Sequence, residues 1–334
     1  MPTLSTSQWI GLLSIPAALL LAQQLTTLSE PTPLTIHRSL SSLPPTSSAR
    51  RIYPEDFYEG GAYVQFPNGT VRYWLIGPED GTRIVLIHGL SIPAFIWRDV
   101  AHHLAKNGFR VLLYDLYGRG YSDAPQTEYT AELYTTQLAM LLQYIGWKRV
   151  HVAGVSMGGA IATSFSAQFP HLVSSKVALI ASVGLYEPRD IPLKFKLLSS
   201  PLVQLVTSSA PARAYRQYLS QNNVHSGSVV ADAEALVCLQ SAYLPGFDHA
   251  IASSLREGPL RGLAPAFAQL GRDTGKRVFL IWGTHDPVVP FVNAERVQGL
   301  VPHAELMVIQ HGGHELTMTH PGEVGPALVR FFAD

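Results

Sequence analysis

Residues 150–169 read VHVAGVSMGGAIATSFSAQF and contain three successive patterns: a strand, a tight turn and a helix. The first six residues form a largely apolar run that predicts a buried strand, and the run after Gly159 predicts a helix that ends before Pro170. Between them stands the pattern G-x-S-x-G, whose serine must protrude from a sharp strand-to-helix turn. Small neighbours let the strand and the helix approach closely at such a turn. We therefore predict Ser156 as a catalytic nucleophile.

The same alternation of strand and helix patterns extends over most of the chain. Six largely apolar runs have the character of buried parallel strands: Arg83–Ile87, Arg110–Tyr114, Val150–Val155, Val177–Ala181, Val278–Trp282 and Leu306–Ile309. Ahead of them, two β-rich runs flank Asn68-Gly69 and predict a hairpin: Ala62–Phe66 and Val71–Ile76. Strand followed by helix, repeated in this way, predicts an α/β domain with a mostly parallel sheet.

Two later segments supply partners for the serine. A serine hydroxyl is a weak nucleophile, so it needs a base that a third group orients. Asp286 follows one predicted strand, and His314 follows the last predicted strand after two glycines. We predict Asp286 and His314 as catalytic residues, because serine, aspartate and histidine in this chain order suit a nucleophile on a strand-to-helix turn. His311 is the local competitor for the base, while Asp115 and Asp123 precede the serine and suit the role of the acid less well.

The oxyanion of an acyl-transfer reaction needs hydrogen-bond donors. The Met157 N–H lies at the start of the helix after the serine, where the helix dipole also favours negative charge. The sequence HGLS at 88–91 follows another predicted strand, at the place from which a second N–H should come. We predict that the Leu90 and Met157 N–H groups form an oxyanion hole, with Ser91 as an alternative donor. His88 is predicted to hold this loop by hydrogen bonds.

Residues 185–271 interrupt the alternation with several prolines and helical patches, and no strand pattern follows until Val278. We interpret this stretch as a helical cap between two parts of a core, 53–184 and 272–334. It would lie over the carboxyl ends of the strands, where open α/β sheets bind ligands. Some of its many apolar side chains are expected to line an acyl pocket. Arg256 could orient a substrate carboxylate, although a surface ion pair is the commoner role.

The first 29 residues carry no charged side chain and centre on the apolar run Trp9–Ala22. Such a segment fits a membrane anchor, a cleaved signal peptide or an ordinary N-terminal helix. We expect membrane association through residues 1–29, followed by a Ser- and Pro-rich linker at 30–52. Because basic residues follow the segment and none precedes it, the positive-inside rule predicts a single N-terminal anchor with a cytosolic catalytic domain: Arg38, Arg50 and Arg51. Secretion after signal cleavage is the alternative.

Composition narrows the range of partners. With 24 basic and 24 acidic side chains, the chain has no net charge and gives no electrostatic case for nucleic acid. Cys238 is the only cysteine, which excludes an intrachain disulfide and a cysteine-based zinc cluster. A serine mechanism requires no cofactor and no metal, so we predict neither. The expected partner is a small-molecule ester or thioester.

Five motifs together make the chain similar to the α/β-hydrolase superfamily, in its capped branch of carboxylesterases and monoacylglycerol-lipase-like enzymes. They are HGLS at 88–91, DLYGRGYS at 115–122, GVSMG at 154–158, GTHDPVVP at 283–290 and GGH at 312–314. The resemblance implies an eight-stranded, mostly parallel sheet flanked by helices, with a helical cap inserted. It also implies a serine hydrolase that cleaves a carboxylic ester or thioester of a small apolar or acyl substrate through an acyl-enzyme.

The same superfamily leaves other activities open. Perhydrolases, C–C bond hydrolases and hydrolases specific for one secondary metabolite use a similar core, and a slow-turnover ligand-binding protein is a further alternative. Serine at position 156 argues against the epoxide-hydrolase and dehalogenase branches, because their chemistry needs a carboxylate nucleophile.

Overall fold

A central sheet of eight strands confirms the predicted α/β architecture. The computed structural model describes residues 33–187, 189–220 and 228–334, and the described residues from Ile36 onward form one compact unit. The strands of this part of the chain are β1 (Ile36–His37), β2 (Gly61–Phe66), β3 (Gly69–Ile76), β4 (Thr82–Ile87), β5 (Phe109–Tyr114), β6 (Ala124–Pro125), β7 (Val150–Val155), β8 (Val173–Ile180), β9 (Arg277–Gly283) and β10 (Glu305–Ile309).

The order of strands across the large sheet is β10-β9-β8-β7-β4-β5-β3-β2. Every pair from β10 to β5 is parallel, whereas β3 runs antiparallel to both β5 and β2. The predicted hairpin is present as β2 and β3, with Phe66 opposite Gly69. Because β7, β8, β9 and β10 run side by side in parallel, their carboxyl ends meet at one edge of the sheet.

Helices cover both faces of the sheet. Those of the described residues are α1 (Ser48–Ile52), α2 (Arg98–Lys106), α3 (Ala131–Tyr144), α4 (Met157–Gln168), α5 (Leu193–Leu198), α6 (Pro201–Thr207), α7 (Ala210–Ser220), α8 (Val229–Tyr243), α9 (Phe247–Glu257), α10 (Ala264–Arg272), α11 (Val292–Leu300), α12 (Leu316–Thr319) and α13 (Pro321–Ala333). This arrangement explains why the central strands are largely apolar. In β4, Val85 and Ile87 pack in a cluster with α3 and α4, while Ile84 and Leu86 pack with α2 and α13.

The described part of residues 185–271 is helical and contains no strand. Within it, α5 and α6 pack on α9, and α7 packs on α8. The last helix of the stretch, α10, packs instead against α4 of the core, where the Gln269 side chain donates to the Ala167 carbonyl at 3.2 Å. The division into a cap and a two-part core, with the boundaries given above, stays a prediction.

Residues 36–52, which we interpreted as part of a linker, pack on the rest of the unit. β1 pairs with β6, and Leu40 and Ala49 are buried. The Leu40 N–H donates to the Gly120 carbonyl at 3.0 Å, and the Ser39 N–H donates to the Asp123 carboxylate at 3.2 Å. This segment therefore braces the loop that follows β5.

The expected single N-terminal membrane anchor requires correction. Among the residues that the structure describes, no helix combines the length and the apolar character needed to cross a bilayer. The longest described helix, α8, has 15 residues and is about 22 Å long, whereas a bilayer core is about 30 Å thick. Residues 1–29, on which the expectation rested, lie outside the described residues.

Three glycines allow close packing around the turn that carries Ser156. A Cβ on Gly154 would lie 2.1 Å from the Gly158 carbonyl oxygen. A Cβ on Gly158 would lie 2.1 Å from the Ile87 carbonyl oxygen, and one on Gly159 would lie 2.5 Å from Ser182 Oγ. Two of these contacts are with backbone atoms, which cannot move aside as a flexible side chain can.

We predict that Gly158→Ala lowers the free energy of unfolding by about 3 kcal/mol, because the added methyl group overlaps the β4 backbone. Gly299→Ala is the matched control: Gly299 is exposed in α11 with open space around it, and alanine should be neutral or stabilise by up to about 1 kcal/mol. Urea unfolding of both variants checks this. Equal stability of Gly158→Ala and the wild type would contradict the packing described here.

Candidate active site

Ser156 occupies a strained turn between β7 and α4. Its backbone has φ 56° and ψ −120°, a region that costs a non-glycine residue about 1–3 kcal/mol. Its N–H donates to the Ile180 carbonyl at 2.9 Å, and its carbonyl accepts from Gly159 and Val183. The turn is thus fixed by β8 and by the first turn of α4. Ser156 itself is half-buried.

His314 connects the serine to a carboxylate. Its Nε2 lies 3.0 Å from Ser156 Oγ, and its Nδ1 lies 2.8 Å from Asp286 Oδ2. An ionised carboxylate only accepts hydrogen bonds, so the contact with Asp286 assigns the proton of neutral His314 to Nδ1. Nε2 then carries the lone pair and can accept the serine proton. The structure therefore brings together the three residues predicted from the chain order.

Asp286 is held rigidly in its loop. Its Oδ1 accepts the N–H groups of Val288 and Val289, both at 2.8 Å, and its side chain is completely buried. These bonds leave Oδ2 directed at the imidazole. The carboxylate can therefore fix the orientation of His314 and stabilise the imidazolium that a proton transfer would create.

The loops after β9 and β10 are joined to each other. The Thr284 N–H donates to the Ile309 carbonyl at 3.1 Å, and the His285 N–H donates to the Gly312 carbonyl at 2.9 Å. His311 donates its N–H to Thr284 Oγ1, has an exposed side chain and packs its ring edge against His285. His311, the local competitor, therefore does not occupy the place beside Ser156.

The two earlier carboxylates are bound to other groups. Asp115 is buried and accepts hydrogen bonds from the Ala94 N–H, the Tyr121 N–H and the Tyr53 hydroxyl at 2.9, 2.8 and 3.1 Å. Burial raises the pKa of Asp115 to about 7. Asp123 accepts the N–H of Thr70 as well as that of Ser39. Both residues brace the loop between β5 and β6.

The loop after β4 passes directly beside the serine. A Cβ on Gly89 would lie 3.3 Å from Ser156 Cβ and 3.8 Å from its Oγ, so the absence of a side chain permits this approach. Among the described residues, the N–H groups of Leu90 and Met157 form no hydrogen bond. One unpaired donor thus lies in the loop that passes beside the serine, and the other belongs to the residue that follows the serine in the chain. Their part in an oxyanion hole, like that of Ser91 as the alternative, remains a prediction.

His88 holds the same loop to its neighbours. Its Nε2 accepts the Leu116 N–H at 2.9 Å, which leaves Nδ1 as the donor to the Gly89 carbonyl at 2.9 Å. Burial, and to a smaller degree the nearby positive charge of Arg119, lower the pKa of His88 to about 3. A neutral, doubly bonded imidazole fits the predicted structural role.

Arg119 is a buried residue of the site region that the sequence analysis missed. Its guanidinium donates to the Leu90 carbonyl at 2.8 Å and to the Ser254 hydroxyl of α9 at 2.8 Å. Further acceptors are the Tyr117 carbonyl, the Tyr134 hydroxyl and the Ala250 carbonyl. The five N–H groups of an arginine thus have five acceptors. The only sequence signal was a cation between two glycines, in a loop whose other charged residues, Asp115 and Asp123, stand at its two ends.

Two side chains of the cap region have structural contacts. Gln240 of α8 accepts the Gly120 N–H at 2.7 Å and donates to the Ser91 carbonyl at 3.4 Å. Arg256 pairs with Glu257 at 2.9 Å and donates to Gln204 at 2.7 Å, so it connects α9 to α6. These contacts favour the ion-pair interpretation of Arg256. In the described ranges, no cluster of His, Cys, Asp and Glu suited to a metal ion is found.

We predict that His88 makes the fold sensitive to acid. Its pKa is lower in the folded state than in the unfolded chain, so its contribution to stability is complete above pH 6.5 and is lost as the pH falls toward 3. Between pH 7 and pH 4.5, the free energy of unfolding of the wild type should therefore fall by about 2–3 kcal/mol more than that of His88→Gln.

Urea unfolding at the two pH values measures this difference. His171→Gln, at an exposed histidine, is the control and should follow the wild-type pH dependence. Parallel pH dependences of the wild type and His88→Gln would contradict this prediction, because His88 would then bind the same number of protons in the folded and unfolded states over this pH range.

Comparison with known proteins agrees with this geometry. The family model for the alpha/beta hydrolase fold matches residues 82–321. An uncharacterized protein of Mycobacterium tuberculosis is 28% identical over 248 residues, which cover 70% of this chain and 70% of that protein. A 2-hydroxy-6-oxo-2,4-heptadienoate hydrolase of Pseudomonas putida is 27% identical over 241 residues, which cover 70% of this chain and 83% of that enzyme.

A solved structure matches over nearly the whole length. The crystal structure of a bacterial membrane phospholipase A has a TM-score of 0.67 at 24% identity, covering 96% of this chain and 97% of that one. At this identity the likeness concerns the fold. Because the family model spans most of the sequence, the chain belongs to the alpha/beta hydrolase fold family.

Proposed function

We propose that this protein is a serine hydrolase that cleaves a carboxylic ester or thioester of an apolar or acyl substrate through an acyl-enzyme. The observation that carries the proposal is the hydrogen-bonded series Ser156–His314–Asp286, with contacts of 3.0 and 2.8 Å. A nucleophile, its base and the group that orients the base are the minimum set for acyl transfer by a serine.

In the acylation step, Ser156 Oγ attacks the carbonyl carbon while its proton passes to His314 Nε2. The carbonyl π electrons move to the oxygen, and the N–H groups of Leu90 and Met157 stabilise the resulting oxyanion. Loss of one such donor typically lowers the rate by about 10²–10³-fold. The intermediate collapses when the bond to the leaving group breaks, and His314 gives its proton to the departing alcohol or thiol.

In the deacylation step, water takes the place of the leaving group. His314 Nε2 accepts a proton from this water, and the hydroxide oxygen attacks the acyl carbon bound to Ser156. The second oxyanion collapses by breaking the bond to Ser156 Oγ, which regains its proton from His314. The acid is released and the free enzyme is restored. Asp286 stabilises the imidazolium in both steps.

C–C bond hydrolysis is the second candidate. It is favoured by the Pseudomonas putida relative, whose name is that of a hydrolase of a 2-hydroxy-6-oxo-dienoate. Such a substrate carries a carboxylate, and in the cap region the guanidinium of Arg256 is already engaged by Glu257 and Gln204. This engagement favours the ester or thioester.

A substrate panel separates the candidates. It contains p-nitrophenyl esters of graded chain length, monoacylglycerols, acyl thioesters and a 2-hydroxy-6-oxo-dienoate, with steady-state kinetics for each. We expect the largest kcat/KM for an ester or thioester with an apolar acyl chain. Faster cleavage of the dienoate than of every ester would favour the C–C hydrolase, and no turnover of any compound would favour a ligand-binding protein.

We predict that Ser156→Ala abolishes ester hydrolysis and that Asp286→Asn lowers kcat by about 10⁴-fold, because the amide no longer selects the productive tautomer of His314. The control is Ser175→Ala, at an exposed serine near the amino end of β8 and so away from the carboxyl ends of the strands, which should keep wild-type kcat. The kinetics of the three variants on one reactive ester check this. Ester hydrolysis by Ser156→Ala at the wild-type rate would contradict the assignment.

We predict that Arg119→Lys lowers kcat by about 10-fold with little change in KM. The single ammonium group of lysine cannot reach both the Leu90 carbonyl and the Ser254 hydroxyl, so the loop that carries Leu90 loses a contact. The predicted role of the Leu90 N–H is to stabilise the oxyanion, which affects kcat more than substrate binding. Arg272→Lys is the matched control, since Arg272 is exposed. Kinetics and urea unfolding are measured on both variants. A loss of stability with unchanged kcat would give Arg119 a purely structural role.

A further inference from the structure

Three consecutive helices of the cap region expose large apolar side chains. In α6, Leu202, Leu205 and Val206 are 75%, 72% and 65% exposed, at the spacing of one helix face. The remaining members of this surface, which we name the cap face, lie on α5 and α7: Leu193, Leu197, Tyr215, Tyr218 and Leu219. An exposed apolar patch of this extent is unusual on a soluble domain and marks a surface of interaction.

The cap face points away from the interior of the unit. α5 and α6 pack on α9, and α7 packs on α8. α5 also contacts α6, and α6 contacts α7, so the three helices are neighbours. The apolar side chains of the cap face are therefore exposed on three adjacent helices and contribute little to the core.

Charge distinguishes this region from the rest of the chain. Residues 191–220 contain four of the 24 basic residues and none of the 24 acidic ones. Of these four, Arg216 forms an ion pair with Asp248 of α9 at 2.7 Å. Lys196 is exposed beside Leu197. Arg213 donates to the carbonyl of Ser208, which lies two residues before the start of α7. The cap face is thus apolar with a basic margin, on a chain without net charge.

We propose that the cap face docks on an anionic lipid surface, with its leucine and tyrosine side chains in the interfacial layer and its basic residues at the lipid phosphates. Apolar side chains bordered by Lys and Arg are the composition of interfacial helices, and each basic residue near an anionic surface adds attraction. The contact lies at the surface and requires no spanning helix.

A second copy of the chain fits this surface less well. In a two-fold symmetric dimer through the cap face, the basic residues of the two copies would share one interface. Arg216 is paired with Asp248, but no acidic residue between 191 and 220 would compensate the others. An anionic surface supplies the missing negative charge. The proposed docking site is inferred from the exposure of apolar side chains and from the charge of residues 191–220. It can therefore be tested independently of the proposed hydrolase activity.

Vesicle co-sedimentation of the full chain tests the proposal. The wild type is compared with Leu202→Ser/Leu205→Ser, on phosphatidylcholine vesicles with and without about one third phosphatidylserine. Neither leucine belongs to the proposed catalytic machinery. We expect the double variant to bind anionic vesicles at least about 10-fold more weakly, because two largely exposed leucines lose their burial. Binding of the wild type should also weaken with added salt and with Lys196→Glu.

The matched control is Val292→Ser/Val308→Ser, at exposed valines on α11 and β10, which should bind as the wild type does. Urea unfolding of all variants verifies that they are folded. Equal vesicle binding by the wild type and the Leu202→Ser/Leu205→Ser variant would overturn the proposal. So would sedimentation velocity that finds a wild-type dimer lost in this variant, without any vesicle binding, since the cap face would then be a self-association surface.

Discussion

The backbone conformation of Ser156 is the constraint on which the rest of the site depends. A left-handed residue in the first turn after a strand exists only where the surrounding structure holds it, and here β8 and the start of α4 do so. The tight contact of Gly154 with Gly158 removes the space that a relaxed turn would need. The consequence is a serine oxygen that stands clear of both elements, at the edge of the sheet where the loops after β9 and β10 converge.

The polar groups around this turn are satisfied by a small number of buried anchors. Asp286 is fixed by two N–H groups, His88 by one donor and one acceptor, and Arg119 by five acceptors. Unpaired buried polar groups are costly, so each anchor makes one loop position strongly preferred. Arg119 and Gln240 also tie the loop after β4 to α9 and α8. The position of the cap region and that of the predicted oxyanion donors are therefore coupled in the fold.

The sequence predicted those features that depend on local pattern. The strands and the hairpin follow from apolar runs and Asn68-Gly69, and Ser156, Asp286 and His314 follow from short motifs in a defined chain order. Arg119 was missed because its acceptors come from positions between 90 and 254, which only the folded chain brings together. The segment 36–52 was assigned to a linker because it is rich in serine and proline and its apolar residues follow no helix or strand period. Leu40 is nevertheless fully buried. The membrane anchor was inferred from residues 1–29 and has no counterpart among the described helices.

The most direct measurement is covalent labelling of the native full-length chain with a fluorophosphonate, read by intact mass and peptide mapping. Such a probe reacts with a serine only where a base and an oxyanion site activate it. We expect one adduct per chain, located on Ser156 and absent after unfolding in urea. An unmodified Ser156, or an adduct confined to another residue, would contradict it.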